Sequence, residues 1–559
     1  MMNMTRRIRS FFAEEVRFFP EHERPAIAGS PATPEHRPML RIAYALVAIL
    51  VGLAGGLGNA LIMVNVKELE AGLALNAVQA AWLPTAYAMT NISANLLLIK
   101  FRQQYGLRIF TLIALGLYAI LSLTYLLTAD HWLALPVRAA SGFVAAALTA
   151  LCLFYVMQAL PGRWRVRGLI LGLGISQCAF PLARVISPWL SVSSYWQSIF
   201  LLEAGLALLS FAAVGAFRLP PAERRRVFAL LDLLTFLLLG GSFALIAAVL
   251  GLGRLEGWFE APWIVLFLSL ALPMFILALR LESRRAAPLL NLRWLASGDI
   301  VLFAIAVLMA RIVLAEQNVA AGLLTALGGG TDQNATLSLV TFLGAVAGVM
   351  VSATTLKVEK LVMPMMLALA IIAVASFIDG SASSLEHLPR FYLSQAVISF
   401  AAMFFLGPAL VLGITSALQK GDRELLSFIV LFGAINSIGA LTGQALFGAY
   451  IDGIATVSRD WILAHQNALR LAAMLAFLTA AYLAVLLAFR ICHKLAEIRR
   501  EKQVSTSSAA PFDQVGPTKP QSGMLWHPPM LSFQARAVLS VIATAGAILL
   551  LVAVWPQGR

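Results

Sequence analysis

Residues 39–66 read MLRIAYALVAILVGLAGGLGNALIMVNV, a long apolar stretch whose one charge is Arg41. A hydrocarbon core of about 30 Å needs about 20 apolar residues in a helix, so this stretch is long enough to cross a bilayer. Working outward, comparable runs lie near 77–100, 106–128, 132–160, 167–190, 196–217 and 229–251. Others lie near 262–282, 299–327, 334–356, 361–380, 390–418, 424–452 and 467–492, which makes fourteen. A fifteenth, 537–555, follows a polar linker. Composition agrees with this reading: 60% of the 559 residues are hydrophobic and 12% are charged. A soluble domain carries about twice that charged fraction. The solvent for most of this chain is therefore lipid.

The net charge of +14 would suggest nucleic acid in a soluble protein. Here the basic residues sit in short loops, and no basic face with interleaved aromatics exists outside the apolar runs. That excludes nucleic acid as a partner and points to the positive-inside bias. With the N-terminus in the cytoplasm, the inside loops hold Lys100, Arg102 and Arg108, then Arg163, Arg165 and Arg167, then Arg218, Arg224, Arg225 and Arg226. They also hold Arg284, Arg285 and Arg293, then Lys357 and Lys360, then Lys420 and Arg423. The outside loops hold little beyond Lys67, Arg254, Arg390 and Arg459. A missed or invented helix would invert this alternation partway along the chain. It does not invert.

The expected fold class is an all-α polytopic membrane protein of two six-helix bundles, a two-helix central hairpin and one extra C-terminal helix. The expected units are a cytoplasmic basic tail (1–38), an N-terminal bundle (39–217), a basic loop with the hairpin (218–283) and a C-terminal bundle (284–492). A cytoplasmic linker (493–535) and the extra helix (536–559) follow, the latter ending outside. The tail, with Arg6, Arg7, Arg9 and four phenylalanines, reads either as a segment lying on the anionic leaflet or as a disordered tail. Two six-helix halves around a midplane site are the layout that alternating access uses.

The motifs sharpen this. Gln79 to Tyr87 reads QAAWLPTAY and resembles the helix-2 signature of the fourteen-spanner drug:proton antiporters of the major facilitator superfamily. Val64-Asn65-Val66 is similar to that family's helix-1 ending, Arg138-Ala-Ala-Ser-Gly142 to its helix-4 motif, and Gly439-Ala-Leu-Thr-Gly443-Gln-Ala to a stretch of helix 13. The resemblance covers roughly 39–492. It implies a secondary transporter in a cell inner membrane that exports small amphiphilic compounds against protons. The departures are equally specific. Ala60 stands where the family has a helix-1 aspartate, and Gln103 replaces the loop aspartate before Gly106 and Arg108. In helix 5, Pro181 is kept, but its flanking glycines are not, and Arg184 stands in their place.

Ionisable groups at membrane depth are functional candidates by default. Five qualify: Arg138, Arg184, Glu203, Arg311 and Glu316. Arg138 matches the motif arginine, for which the resemblance implies proton coupling or gating. Arg311 and Glu316 are five residues apart, about 140° around a helix, and so do not pair with each other. Glu316 is the protonatable carboxylate best placed to carry a coupling proton, with Glu203 second; an interhelical ion pair is the other role for each. Asp232 reads as interfacial. Arginines outnumber carboxylates among the five, which favours anionic or zwitterionic substrates. Gln79, Asn91 and Gln177 are polar candidates, and Trp82 and Tyr87 are candidates for an aromatic cavity wall.

Other chemistries find no support in the sequence. All seven histidines fall in tails or loops by this reading, and no metal-ligand spacing or phosphate loop is present. The three cysteines, Cys152, Cys178 and Cys492, read as small apolar helix residues. No cofactor is expected. The expected partners are the bilayer, a small-molecule substrate and protons, together with a periplasmic adaptor and an outer-membrane channel. The last two rest on the added helix, which resembles an adaptor's membrane anchor. Two alternatives stand beside the exporter: a facilitator or importer of organic anions, and a non-transporting sensor or scaffold.

Overall fold

A computed structural model of the chain describes residues 30–127, 131–191, 196–222, 228–285 and 288–507. Its long helices are α1 (Pro38–Val64), α2 (Ala77–Tyr105), α3 (Leu107–Leu127), α4 (His131–Ala159), α5a (Arg165–Gln177) and α5b (Ala179–Ser191), and α6 (Gln197–Ala216). A hairpin follows, α7 (Leu230–Leu252) and α8 (Pro262–Arg284). Then come α9a (Gly298–Val313) and α9b (Glu316–Ala326), α10 (Thr331–Thr355), α11 (Val362–Asp379), α12 (Leu388–Leu418), α13 (Asp422–Ser458) and α14 (Trp461–Ser507). Counting each broken helix once, these are the fourteen apolar runs.

Thirteen of them are long and apolar enough to cross a membrane. The remaining one, α2, has the length, 29 residues, but Gln79, Asn91, Asn95, Lys100 and Arg102 dilute its apolar character. Local chemistry sets the ends. Asn76 accepts the Gln79 amide while Gln79 returns a bond to the Asn76 amide, closing a capping box at the start of α2. Prolines open α1 and α8, where a missing N–H is harmless.

Three expectations need correction. Runs five and nine are each broken, at Cys178 and at Leu314–Ala315, rather than continuous. The last helix does not stop near 492 but continues to Ser507 through the EIRREKQ segment. The N-terminal segment is not all tail. Residues 30–37 dock on the bundle, with the Ala32 amide donating to the Pro221 carbonyl at 2.9 Å and Gln158 Nε2 donating to the Ala32 carbonyl at 2.9 Å. Arg165 holds Thr33 through side chain and carbonyl, both at 2.9 Å. The first 29 residues and the expected helix 536–559 lie outside the described residues.

The buried apolar side chains gather mainly into a cluster from α9–α14 and clusters from α1–α6. Packing repeats between the halves: α2 lies along α4 as α10 lies along α12. Gly142 of α4 makes the first contact possible, because a Cβ there would strike the Tyr87 carbonyl oxygen. The hairpin packs on α2 and reaches α13. Outward faces of α3, α6, α8, α11 and α14 present leucine, valine and phenylalanine to the surroundings. Such a continuous apolar belt is what a helix bundle shows to lipid.

The loops rich in Lys and Arg all fall at one end of the bundle, here called the basic face. Near that face the halves touch. Ile170 of α5a packs with Ala353 and Val411, and Gly174 sits so close to Val349 of α10 that a Cβ would overlap its methyls. Toward the opposite face α5b also packs on α10.

Candidate functional site: a cavity flanked by two buried acidic centres

The first centre lies inside α1–α6. Arg138 is 1% exposed and Glu203 is 3% exposed. Arg138 Nη1 lies 3.3 Å from Glu203 Oε2, and Nη2 donates to Asn59 Oδ1 at 3.3 Å. The guanidinium stands over the Tyr87 ring, 5.1 Å from its centroid. Tyr118 donates to Glu203 Oε1 at 3.0 Å and approaches the Ala54 carbonyl at 2.9 Å. Five helices thus meet at one neutralised pair, since in hydrocarbon a lone charge is far more costly than a paired one.

The second centre lies inside α9–α14, and it is not neutralised in this way. Glu316 begins α9b and is fully buried. Its carboxylate neighbours Ser376, Asp379 and Gln395, yet neither of its oxygens completes a hydrogen bond. Asp379, 1% exposed, accepts from Ser394 Oγ and, at 2.8 Å, from Gln395 Nε2. The adjacent Gln317 donates to Ser399 at 3.0 Å, fixing α9b to α12. Asp379 is not among the sequence candidates, and it ends its helix. The signal available was its place inside the run 361–380.

Between the centres, toward the face opposite the basic loops, lies a cavity of ≈ 480 Å³. Its wall combines the end of α1, the first half of α5b, Arg254 after α7, the start of α9b, and parts of α13 and α14. Arg184, Arg254 and His465 supply its charged or titratable groups; Phe180, Phe447 and Trp461 supply aromatic surface. Arg184 Nη2 donates to Asn318 Oδ1 at 2.5 Å, joining α5b to α9b across the cavity. The guanidinium also stands 4.8 Å from the Phe180 ring centroid. Arg254 makes two bonds to Asp452 of α13, at 2.6 and 2.7 Å. His465 is not in a loop, as expected from sequence, but on the first turns of α14. Asn65, the motif asparagine, accepts from Ser187 Oγ at 2.5 Å and ties α1 to α5b beside the cavity.

A third charge cluster sits near the basic face. Asp232, in the first turn of α7 where the sequence reading places it, is fully buried within the protein. It receives Lys100 Nζ at 2.8 Å and Arg285 Nη2 at 2.6 Å. Arg285 also reaches Glu282 at 2.7 Å, and Glu282 accepts the Leu289 amide at 2.5 Å. Burial alone would lower the Arg285 guanidinium; its bonds to Asp232 and Glu282 outweigh that and raise it. Lys100, expected in a loop, is on the last turns of α2. This cluster anchors the hairpin to α2. Asn291 Nδ2 donates to Glu424 at 2.7 Å and links the following segment to α13.

The remaining candidates scatter. Gln79 is the helix cap described above. Trp82 packs on Trp263 of the hairpin at 5.9 Å and does not line the cavity. Tyr87 is buried under Arg138 and donates to the Gly55 carbonyl at 3.2 Å, so it too is absent from the wall. Asn91 donates to the Gly142 carbonyl at 2.8 Å. Gln177 is half-buried at the break in α5. Arg311 Nε donates to the Asn436 carbonyl at 3.3 Å, away from Glu316 as its helical offset required. Gln444, from the helix-13 motif, does line the cavity.

Residues 48–331 match the sequence profile of the Major Facilitator Superfamily. That is just over half of the chain, and the chain belongs to this family. Two solved structures share the fold. One is the human organic anion transporter MFSD10 (TETRAN), 14% identical, with a TM-score of 0.53, covering 79% of this chain and 99% of that one. The other is the proton:xylose symporter XylE bound to 6-bromo-6-deoxy-D-glucose, 15% identical, with a TM-score of 0.53, covering 80% of this chain and 96% of that one. No curated protein matches the chain. The protein is thus a multi-pass membrane transporter of the major facilitator fold.

Proposed function

We propose that the chain is a secondary active transporter of organic anions with an apolar body, working as a proton-coupled exporter in a cell inner membrane. The observation that carries the substrate class is the cavity lining: Arg184, Arg254 and His465 face it, and no carboxylate does. Arginine suits carboxylates, sulfonates and phosphates, and the Phe180, Phe447 and Trp461 rings suit the rest of an amphiphile. An organic anion is also the substrate class named for the human transporter of the same fold. Export and proton coupling rest on the resemblance to the fourteen-spanner antiporters, with the basic face as the cytoplasmic side.

In this reading residues 39–217 and 284–492 move as two bodies about the cavity, with the contact between Gly174 and Val349 opening as the opposite face closes. Binding drives nothing by itself. A ligand shifts the equilibrium only by its different affinity for the two states. Arg184 and Asn318 bond directly across the cavity, so an anion taken up by Arg184 competes with that bond and favours the arrangement in which the two walls part.

The test is transport in everted membrane vesicles with a pH gradient, using paired anionic and cationic amphiphiles of matched size. The expected result is gradient-dependent uptake of the anions, reduced about tenfold or more by Arg184→Gln. Equal handling of anions and cations by both proteins sinks the substrate class. Anion flux only in the opposite direction replaces export by import.

A further inference from the structure

We propose that Glu316 and Asp379 form a binding site for one monovalent cation, a proton or a sodium ion, within α9–α14. The inference deepens the reading of an ion-driven transporter and rests on that reading for its purpose.

The argument is one of unbalanced buried charge. Both carboxylates are at most 1% exposed. Ser376 and Gln395 stand beside the Glu316 carboxylate as neutral donors, but neither Glu316 oxygen nor the buried Ser376 Oγ completes a well-formed hydrogen bond. Asp379 is held by the neutral groups of Ser394 and Gln395. A fully buried carboxylate with no ion-pair partner and no well-formed hydrogen bond is among the costliest groups a protein can hold, unless a cation is bound.

The other half shows what balance looks like. Arg138 is the eighth residue of α4 and Gln395 is the eighth residue of α12. Each lies on the helix that packs along a partner in the same way, α2 with α4 and α10 with α12. In the first half the arginine neutralises Glu203. In the second half an uncharged amide stands at that position, so no ion pair like that of Arg138 and Glu203 forms there. The donor set is carboxylate, hydroxyl and amide oxygen. Two carboxylates with neutral oxygens suit a proton or a hard monovalent ion; among the described residues no cluster of three or more His, Cys, Asp or Glu gathers for a divalent metal.

The charged groups around the site are accounted for. Arg184 approaches from α5b but is bonded to Asn318. Arg390, in the first turn of α12, is a cation that acts electrostatically on Asp379. From α14, His465 lies against Gly322 of α9b and Arg470 against Gly380 at the end of α11. None of them hydrogen-bonds either carboxylate among the described residues.

The test needs no transport, so its failure leaves the proposed function standing. Thermal unfolding of the purified full-length protein in detergent is followed in sodium chloride against choline chloride, at neutral and alkaline pH. A sodium-specific rise in midpoint of several degrees, lost in Glu316→Gln and in Asp379→Asn, identifies a sodium site. There, Ser376→Ala raises the half-saturating sodium concentration by about tenfold. No sodium response, but a midpoint that rises on acidification and is flattened in both variants, identifies a proton site. If wild type and the folded variants respond alike to sodium and to pH, the proposal is overturned. Should Glu316→Gln not fold, Ser376→Ala and Asp379→Asn carry the same comparison.

Discussion

Arg184 and Asn318 meet at 2.5 Å across the cavity, one on α5b and the other on α9b. Each wall contributes one partner, and the arginine occupies a position where the resembling antiporters have a glycine. Under the proposed function the charge of that pair, together with Arg254 and His465, sets what the cavity prefers. Asn318→Asp would neutralise Arg184 in place. We expect it to weaken anion transport about tenfold and to admit cations, whereas Asn318→Ala leaves the arginine free and keeps the anion preference. Competition between matched anions and cations, measured as apparent KM, checks both.

Closure near the basic face depends on a missing side chain. Gly174 faces Val349, and a Cβ there would overlap its methyls. Gly174→Leu is expected to wedge α5a away from α10, lowering transport and exposing neighbouring Ile170, which is now 1% exposed. A cysteine placed by Ile170→Cys should then react with an impermeant maleimide from the basic side and stay protected without the wedge. The native Cys152 and Cys178 are buried and Cys492 is exposed, so only Cys492 needs prior replacement.

Arg138 and Glu203 form a buried pair at 3.3 Å. Removing one partner leaves an uncompensated charge, and Glu203→Gln or Arg138→Gln should each destabilise by about 3–5 kcal/mol. Replacing both with Met should recover most of that loss, because a buried pair and an apolar pair are often close in energy. If the pair serves coupling, the double variant folds but does not transport. A double variant that is stable and fully active would assign the pair to packing alone.

The fourteen helices were legible because lipid leaves so little freedom: each crossing needs length, and the basic residues fix which ends lie together. Arg184 and Glu316 were legible for the same reason, as charges too deep to be accidental. Partnerships were not. Nothing in the spacing says that Arg138 meets Glu203, since they are brought together by α4 and α6 crossing. Lys100 was read as a loop charge and Asp232 as an interfacial one, and their pairing at 2.8 Å follows only from the hairpin packing on α2. Asp379 was hidden by its place at a helix end, and His465 by a helix that begins earlier than its apolar run. Trp82 and Tyr87 carry the most recognisable motif but serve packing, against Trp263 and under Arg138.

Asp232 holds two cations, Lys100 and Arg285, so the substitutions in this cluster should be unequal. Asp232→Asn strands both and is expected to lower stability by about 3–5 kcal/mol. Lys100→Met leaves Asp232 with Arg285 and is expected to lower it by about 1–3 kcal/mol. Thermal midpoints in one detergent order the two. Equal losses would mean that Lys100, rather than the aspartate, is the centre of the cluster.

Arg254 and Asp452 behave differently, because their side chains are 45% and 39% exposed. A pair so open to solvent contributes roughly 0–1 kcal/mol, so Arg254→Ala and Asp452→Asn should leave the thermal midpoint nearly unchanged. Their effects on substrate should have opposite signs. Arg254 lines the cavity, and its loss removes positive charge from the lining, raising the apparent KM for an anion. Asp452 competes with that anion for the same guanidinium, so Asp452→Asn should lower the apparent KM. About 1 kcal/mol released from the pair corresponds to roughly a fivefold change. High salt should shrink both effects, since these charges are screened. Changes of the same sign in the two variants would mean that Arg254 acts as a clasp between the hairpin and α13, and not as a ligand for the transported anion.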